Sequence, residues 1–205
     1  MNWLSHLYLS EPAAEFRIGN LLPDLAPLSA LADLPPAFQR GAEQHRRIDA
    51  FTDAHPVVRR SIQRIQPPYR RFGGILVDIF YDHFLTREWD SLHPQPLPDF
   101  VAEVYASFDD HRESIPQAAH FPLEQMKAHD WLSSYGDLDG IALTLQRVAA
   151  RFQRPVPIGD GAHILRDHYD AFQSDFATFF PDLCAHVGLE PAKITLAGLK
   201  SASKT

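Results

Sequence analysis

Sulfur-containing residues are scarce in this sequence, which has one cysteine, Cys184, and two methionines among its 205 residues. A single cysteine cannot form a disulfide within the chain, and it offers no second thiolate for a zinc-finger site. This scarcity fits a reducing compartment. Any bound metal must therefore be held by imidazole and carboxylate side chains, and the eleven histidines supply the first kind in quantity.

Long apolar runs and a secretory leader are also missing. No apolar stretch approaches the roughly 20 residues that a membrane-spanning helix requires, and residues 1–10 have neither the basic start nor the small-residue cleavage site of a signal peptide. With 45% hydrophobic residues, the chain can bury a substantial core. We therefore expect a cytoplasmic protein without a membrane partner, with one domain over residues 1–195 and a flexible tail over 196–205.

Strand-like alternation of useful length is absent, and no internal repeat is present. Apolar residues instead recur at helical spacing, and prolines mark the expected helix boundaries. The pattern predicts a helix over residues 13–22 that Pro23 ends, a helix from Pro36 to about residue 54, and a long helix over residues 162–180. The predicted fold is an all-α, single-domain bundle of about seven to nine helices.

Charge is distributed unevenly. The net charge of −7 argues against a general nucleic-acid binder. Residues 40–71 nevertheless carry eight arginines against three acidic residues, which gives +5 in this segment and −12 in the remainder. Such a segment is either an arginine-rich solvated face or a docking surface for an acidic partner.

The stretch Gln44–Asp53, QHRRIDAFTD, places ionisable groups on a core-facing stripe. Residues four apart share one face of a helix, so His45 and Asp49 point the same way, and Asp53 nearly so. An amphipathic helix normally keeps aliphatic side chains on that face. An imidazole and a carboxylate there indicate a buried polar partner.

A second stretch, residues 75–85 with the sequence ILVDIFYDHFL, surrounds Asp78, Asp82 and His83 with apolar and aromatic residues. The helix is therefore predicted to be covered on most sides. A lone buried carboxylate either takes up a proton or finds a partner, because a stranded charge costs several kcal/mol. Two helices that each offer histidine and aspartate suggest a shared partner.

Imidazole and carboxylate ligands without thiolate suit manganese, magnesium, iron or zinc, and carboxylate-rich sets favour manganese or magnesium. Helical bundles build such sites from facing side chains. A bound divalent ion lowers the pKa of its water to roughly 7, and arginine binds phosphate oxygens bidentately. The chemistry that this combination supports is phosphoester hydrolysis.

Six motifs in order resemble the acyl carrier protein phosphodiesterase family over nearly the whole chain. They are Asn2 with His6, GNLL-x-D (19–24), HRRID-x-x-TD (45–53), D-x-x-x-DHFL (78–85), WL-x-x-Y-x-DLD (131–139) and HYDAF (168–172). The resemblance implies a divalent-metal hydrolase that prefers manganese, with an atypical helical fold akin to the HD-domain phosphohydrolases. The implied reaction removes 4′-phosphopantetheine from holo-acyl carrier protein and leaves the apo form.

The pair Asp82-His83 reverses the order of the HD motif, so metal ligands cannot be transferred by motif position. From helix geometry we predict that the ion is bound chiefly by Asp24, Asp78, Asp82 and His83. His45 and Asp49 are expected to face these ligands, with His6 at the edge.

Other residues receive supporting roles in the same prediction. Asp49 or Asp82 accepts the proton of the attacking water, and Arg46 or Arg47 binds the phosphate. The residues expected to lie behind the metal ligands and keep them in position are Asp53, His168 and Asp170. Since acyl carrier proteins are strongly acidic, the residues expected to seat the carrier are Arg59, Arg60 and Arg64.

Two other functions remain open at the level of sequence. One is an HD-like, metal-dependent nucleotide phosphohydrolase, which needs no surface for a protein partner. The other is a non-enzymatic helical module that binds a carrier protein and whose buried polar residues form only an ion-pair network. In that case His6, His168 and Asp170 are polar core residues, and Asp24 is a turn or cap residue.

Overall fold

A computed structural model describes residues 1–190, and these residues form eleven α-helices and no β-strand. The prediction of an all-α chain is confirmed. In order, the helices are α1 Trp3–Tyr8, α2 Ala14–Leu25, α3 Pro36–Ala54, α4 Pro56–Arg64, α5 Gly73–Arg87, α6 Trp89–Leu92, α7 Leu97–Asp110, α8 Gln117–Ala128, α9 Leu138–Ala149, α10 Ala162–Asp167 and α11 Tyr169–His186. The predicted tail, 196–205, lies outside the described residues, as does the predicted domain end at residue 195. No helix within 1–190 is long and apolar enough to cross a bilayer.

The described helices outnumber the predicted seven to nine, partly because one predicted helix is interrupted. The helix expected over residues 162–180 breaks at His168, whose backbone lies at φ −126° and ψ 26°. Leu165 and Phe172 on either side remain fully buried, but His168 is exposed. The alternative in which His168 is a polar core residue is therefore wrong, because the break rotates His168 away from the buried side that Leu165 and Phe172 share.

Pro23 does not end α2 as predicted. The backbone N–H of Ala26 donates to the carbonyl of Leu22 at 2.9 Å, so the helix continues past the proline to Leu25. A proline removes one backbone donor, and this loss in the last turn leaves the remaining hydrogen bonds intact. Asp24 consequently projects from a helix and not from a bend.

Helices α2 and α3 cross with their backbones in direct contact, and this crossing holds the functional groups in place. A Cβ atom at Gly19 would lie 2.2 Å from the carbonyl oxygen of Phe38, and one at Gly41 would lie 2.2 Å from that of Phe16. Only glycine permits this approach. The close crossing brings the side chains of α2 next to those of α3.

Helix α5 runs through the core, as the sequence predicts. Phe80 and Phe84 are fully buried and pack against Phe172 and Phe176 of α11, with ring centroids 5.2 Å and 5.9 Å apart. This aromatic packing covers one side of α5. Asp78 lies on another side, close to the first residues of the chain.

Candidate active site

Side chains from three helices meet at a cluster of two imidazoles and two carboxylates. The Nε2 atom of His6 in α1 lies 3.3 Å from Oδ1 of Asp49 in α3, and Nε2 of His45 lies 3.0 Å from Oδ2 of the same carboxylate. Asp24 of α2 adds a second carboxylate, with Oδ1 3.6 Å from His45 Nε2. The two rings stack with centroids 4.0 Å apart. Ligand atoms of His6, His45 and Asp49 all lie within 4.8 Å of one another, which suits a metal ion.

Asn20 fixes the orientation of both imidazoles. Its Nδ2 donates to the carbonyl of His6 at 2.8 Å and to Ser10 Oγ at 2.9 Å, so its Oδ1 must accept from His6 Nδ1 at 3.0 Å. The backbone carbonyl of Asn20 accepts from His45 Nδ1 at 2.7 Å. Because both Nδ1 atoms donate, Nε2 is the nitrogen that each ring directs at the cluster, and a ring that is neutral presents its Nε2 lone pair there.

The ionisation states favour binding of a cation. Burial lowers the pKa of His6, and the neighbouring His45 adds to that effect. Burial opposes ionisation of Asp49, but hydrogen bonding to His45 and His6 outweighs it and keeps the Asp49 pKa well below its usual range. Burial also lowers the pKa of His45, whereas Asp49 and Asp24 more than reverse this and raise it. The cluster therefore combines an ionised carboxylate with one imidazole that is held neutral.

Asp78 of α5 brings a further carboxylate to the cluster. The amino group of Met1 lies 3.2 Å from Asp49 Oδ1 and 3.4 Å from Asp78 Oδ1. Burial lowers the pKa of this amine, but Asp78 and Asp49 outweigh it and raise the pKa to about 10. Burial and the proximity of Asp49 also raise the pKa of Asp78, although the amine opposes this. The carboxylates thus already attract one positive charge.

The carboxylates open onto a cleft of about 380 Å³, which lies in the size range of small-molecule sites. Asp24, Asp49, Asp53 and Asp78 form its acidic wall. The other residues that line the cleft come largely from α1, α9 and the segments on either side of α9, and they include Trp3, Tyr135, Thr144, Val148 and Arg151. The cleft therefore has an acidic wall with the imidazole cluster behind it and a mixed wall that carries one arginine.

The donor set fits a divalent metal ion. His6 Nε2 is buried, and among the described residues it makes no hydrogen bond of ordinary geometry. Buried polar atoms are normally paired with protein groups, water or an ion, so this atom has capacity left for one of these partners. His6, His45 and Asp49 would supply nitrogen and oxygen ligands of the kinds that manganese, iron and zinc accept, with Asp24 next to them.

Asp82 lies outside this cluster, contrary to prediction. Its carboxylate accepts from the backbone N–H groups of Leu4 and Ser5 at 2.9 Å and 3.1 Å, and also from the Ser5 hydroxyl. These donors belong to the first turn of α1, where Asn2 makes no capping bond. Asp82 thus caps α1 from another helix, and its oxygens are occupied.

His83 is also directed away from the cluster. Its Nδ1 contacts the carbonyl of Tyr135 at 2.7 Å, and its Nε2 contacts the hydroxyl of Tyr169 at 3.0 Å. Burial lowers its pKa. Because one residue along a helix is a rotation of about 100°, His83 faces a different side of α5 from Asp82. We therefore remove both residues from the predicted ligand set and retain Asp78.

The arginines predicted to bind phosphate do not line the cleft. Arg46 pairs with Glu43 one turn earlier, at the surface. Arg47 contacts the side-chain oxygen of Gln44 at 3.2 Å and the carbonyl of His186 at 3.3 Å. Neither guanidinium group is therefore among the groups that line the cleft beside Asp49.

The predicted docking arginines are partly engaged within the chain. Arg60 and Arg64 both pair with the buried carboxylate of Asp175, Arg64 at 2.7 Å. Arg59 is exposed and its Nε donates to the carbonyl of Asp53 at 3.2 Å. Two of the three guanidinium groups therefore serve to neutralise a core carboxylate.

Of the three residues predicted to keep the metal ligands in position, one lines the cleft. Asp53 is exposed and lines it beside Asp49 and Asp78. His168 and Asp170 are exposed at the start of α11 and do not line the cleft.

Several residues that build the cleft received no role from the sequence. Asn20 was part of a recognised motif, and a buried asparagine within an apolar helical stretch is a usable signal for a positioning role. Trp3, Thr144 and Arg151 gave no such signal, because they meet only through long-range contacts. Arg151, for example, stacks over Trp3 at 5.0 Å although 148 positions separate them in the chain.

Comparison with known proteins confirms the resemblance. The profile of the acyl carrier protein phosphodiesterase family matches residues 1–183. A relative of that name from Yersinia pestis is 32% identical over 184 residues, which are 89% of this chain and 95% of the relative. Those from Salmonella dublin and Escherichia coli O139:H28 are 34% identical over 186 and 190 residues, covering 90% of this chain and 96% of each relative. No solved structure matches this chain. Because the profile spans every helix that contributes to the cluster and the relatives match about nine tenths of the chain, the chain belongs to the acyl carrier protein phosphodiesterase family.

Proposed function

We propose that this protein hydrolyses the phosphodiester that joins 4′-phosphopantetheine to the serine of holo-acyl carrier protein. Water attacks phosphorus, the bond from phosphorus to the serine oxygen breaks, and that oxygen takes up a proton. The products are apo-carrier and free 4′-phosphopantetheine. The observation that carries the proposal is the set of His6, His45 and Asp49 ligand atoms, within 4.8 Å of one another beside a cleft of about 380 Å³.

The proposal includes a divalent metal ion, with manganese preferred, held by His6, His45 and Asp49. When bound, such an ion activates water and polarises a phosphoryl oxygen. Asn20 keeps both imidazole Nε2 atoms directed at the site, and removal of such supporting groups commonly weakens metal binding. The mixed nitrogen and oxygen donor set supports manganese but is also compatible with iron or zinc.

Asp78 is the group that we assign as proton acceptor. A general base works best when its pKa lies near the working pH, and burial raises the pKa of Asp78. The pKa of Asp49 is held far below neutrality, so this carboxylate is suited to binding a cation and not to accepting a proton. Asp82, the other predicted base, is saturated by donors from α1.

The proposed partner is the carrier protein, and the reaction is proposed to take place in the cytoplasm. The bond to be cleaved is attached to a folded protein, so the cleft must be reachable from the surface. Asp24 and Asp53 at the acidic wall are exposed, which supports access from solvent.

The test is a mass measurement on holo-acyl carrier protein incubated with this protein and manganese. We expect loss of the prosthetic arm and appearance of apo-carrier, with no reaction after chelation and recovery when manganese is restored. Asp49→Asn should show no arm loss and little bound metal. Retention of the arm by the carrier, with hydrolysis of a nucleotide by the same preparation, would contradict the proposal.

A further inference from the structure

The mixed wall of the cleft contains buried polar atoms without ordinary hydrogen bonds. Within residues 1–190, these include Asn2 Nδ2, Tyr135 Oη and Thr144 Oγ1, from three residues that line the cleft. Asn2 and Tyr135 are neighbours, since burial raises the pKa of the Tyr135 hydroxyl and Asn2 partly opposes this. Tyr135 is fully buried and Thr144 is 7% exposed. Native proteins pair nearly all such atoms with protein, water or ligand. Their concentration on one wall indicates that this wall contacts a polar molecule.

Thr144 differs from other helical threonines of this chain. The hydroxyls of Thr52, Thr86 and Thr178 each donate to the backbone carbonyl four residues earlier, at 2.8–2.9 Å. Thr144 has the same option in α9, yet its hydroxyl makes no hydrogen bond within the described residues. The side chain instead lines the cleft, and its buried hydroxyl keeps an unused donor and acceptor next to the cleft.

Arg151 supplies a positive charge at the same wall. Its guanidinium stacks 5.0 Å from the ring of Trp3 and 6.0 Å from that of Trp131, and the two indoles stack 5.5 Å from each other. The described residues contain no carboxylate paired with Arg151, whereas Arg17, Arg60 and Arg64 each have one. Stacking fixes the plane of the guanidinium and leaves its N–H donors unused.

Trp3 connects this arginine to the acidic wall. Its indole Nε1 donates to Asp24 Oδ2 at 3.0 Å, and its ring carries Arg151. The guanidinium is therefore positioned near the cluster without being neutralised by it. An anionic group next to the imidazole cluster would have this arginine within reach as a second contact.

We propose that the mixed wall is the subsite for the scissile phosphodiester and the arm attached to it. Arg151 binds the phosphodiester oxygens, which guanidinium groups recognise bidentately. Thr144 and Tyr135 hydrogen-bond to the amide and hydroxyl groups of the arm, and Ile75, Ile79 and Val148 along the cleft contact its aliphatic segments. This subsite rests on the proposed function, since it names where that substrate lies.

The chain offers variants that change one atom or one contact. Thr144→Val removes the hydroxyl and preserves the shape, and Thr178→Val is its matched control on an exposed position of α11. Arg151→Lys keeps the charge but removes the bidentate plane, and Arg154→Lys, also exposed, is its control. Tyr135→Phe provides a second removal of a hydroxyl if Thr144→Val folds poorly.

Calorimetric titration of the purified chain separates the two parts of the subsite. The probes are 4′-phosphopantetheine, pantetheine without the phosphate, and inorganic phosphate. Thr144→Val should weaken binding of both arm-bearing probes by about threefold to tenfold, the effect of one hydrogen bond, and leave phosphate binding unchanged. Arg151→Lys should weaken the two phosphate-bearing probes and spare pantetheine. Both controls should bind as the wild type does.

Three results would overturn the subsite. The first is that the wild type binds 4′-phosphopantetheine no more tightly than phosphate. The second is that Thr144→Val and Tyr135→Phe both bind the arm-bearing probes with unchanged affinity. The third is that Arg151→Lys lowers the affinity for all three probes equally. Failure of the proposed function is a separate observation, namely that wild-type protein leaves holo-carrier intact. A wild type that releases the arm, together with variants that bind the probes normally, would reject only the subsite.

Discussion

Two aspartates on different helices, the buried Asp82 and the partly exposed Asp49, illustrate how carboxylates of similar sequence context differ in use. Asp82 accepts from two backbone N–H groups and one hydroxyl, all from the first turn of α1. Asp49 faces the Nε2 atoms of His6 and His45, and the first of these lacks a hydrogen bond of ordinary geometry. One carboxylate is saturated by the chain, whereas the other belongs to a set that is incomplete.

This difference distinguishes carboxylates that stabilise the fold from carboxylates that can bind a ligand. A saturated carboxylate such as Asp82, or Asp175 with Arg60, Arg64 and Ser61, stabilises the contact between two helices. An incomplete set that opens onto a cleft has capacity left for a ligand. Substitutions should therefore divide into those that affect metal and turnover and those that affect folding.

The largest effect is expected from the incomplete set. His45→Gln and Asp49→Asn each remove a ligand atom while preserving side-chain size. Because loss of a group that merely supports a metal ligand costs about 10–100-fold, loss of a ligand should lower turnover of holo-carrier further. Bound metal, measured by elemental analysis, should fall in parallel. His129→Gln, at an exposed histidine outside the cleft, is the control, and full activity in both variants would reject the assignment.

A smaller effect on the same readout is expected from Asn20→Ala. The substitution frees the Nδ1 atom of His6 alone, because the side-chain contact to His6 is lost while the backbone contact to His45 remains. Metal affinity should fall by about 10–100-fold. His6 should be more affected than His45, which NMR of the imidazole resonances can resolve. Unchanged metal affinity would show that packing alone orients the rings.

Asp82→Asn should change stability and leave metal content intact. The amide offers one acceptor oxygen in place of two, so a donor in the first turn of α1 loses its partner at a cost of about 1–3 kcal/mol. Thermal denaturation should show a lower Tm, and elemental analysis should show unchanged metal. Loss of metal from a variant that remains folded would return Asp82 to the ligand set.

Asp82→Asn should also change how the stability of the folded state depends on pH. Burial raises the folded-state pKa of Asp82 to about 7, although the hydrogen bonds from Ser5 and Leu4 oppose this. The folded state therefore holds a proton that the unfolded chain, with an ordinary aspartate pKa of about 4, releases. The stability from this group is fully present below pH about 4 and is lost as the pH rises to about 7. The wild-type curve minus the Asp82→Asn curve should show this decline.

The sequence predicted the two key helices well and the directions of their side chains less well. Residues 36–54 form α3 as expected, and His45 and Asp49 share a face because they are four residues apart. On α5, apolar residues surround every polar position, so periodicity does not indicate which side faces which neighbour. Asp78, Asp82 and His83 consequently reach three different environments that only the packing of other helices decides.

The mixed wall of the cleft shows most clearly which features the sequence alone does not predict. Thr144 and Arg151 come from α9 and the turn after it, and Trp3 comes from the first helix. No local pattern connects them, because their proximity depends on the whole chain folding. Family motifs did identify the neighbourhood, since Trp131 and Tyr135 belong to one of the six motifs, but they did not indicate what those residues contact.

The structural role of the Asp175 carboxylate can also be tested by changing the arginines that pair with it. Arg64→Glu removes a partner of Asp175 and adds a like charge beside it, so stability should fall by at least about 1 kcal/mol. Arg59→Glu, at an exposed residue with only one backbone contact, should change stability by less than about 0.5 kcal/mol. If these arginines seat the carrier, Arg59→Glu should still raise KM for holo-carrier at low salt. An unchanged KM would remove this face from the docking prediction.

The smallest effect is expected from Arg46→Ala. Arg46 forms an ion pair with Glu43 at the surface of α3, and exposed pairs of this kind contribute about 0.2–1 kcal/mol. The side chain does not line the cleft, so kcat and KM for holo-carrier should stay within about twofold of wild type. Arg151→Ala, measured beside it, should raise KM clearly, because it removes the cleft arginine. A large fall in kcat for Arg46→Ala with normal Arg151→Ala kinetics would reverse the assignment of the phosphate-binding arginine.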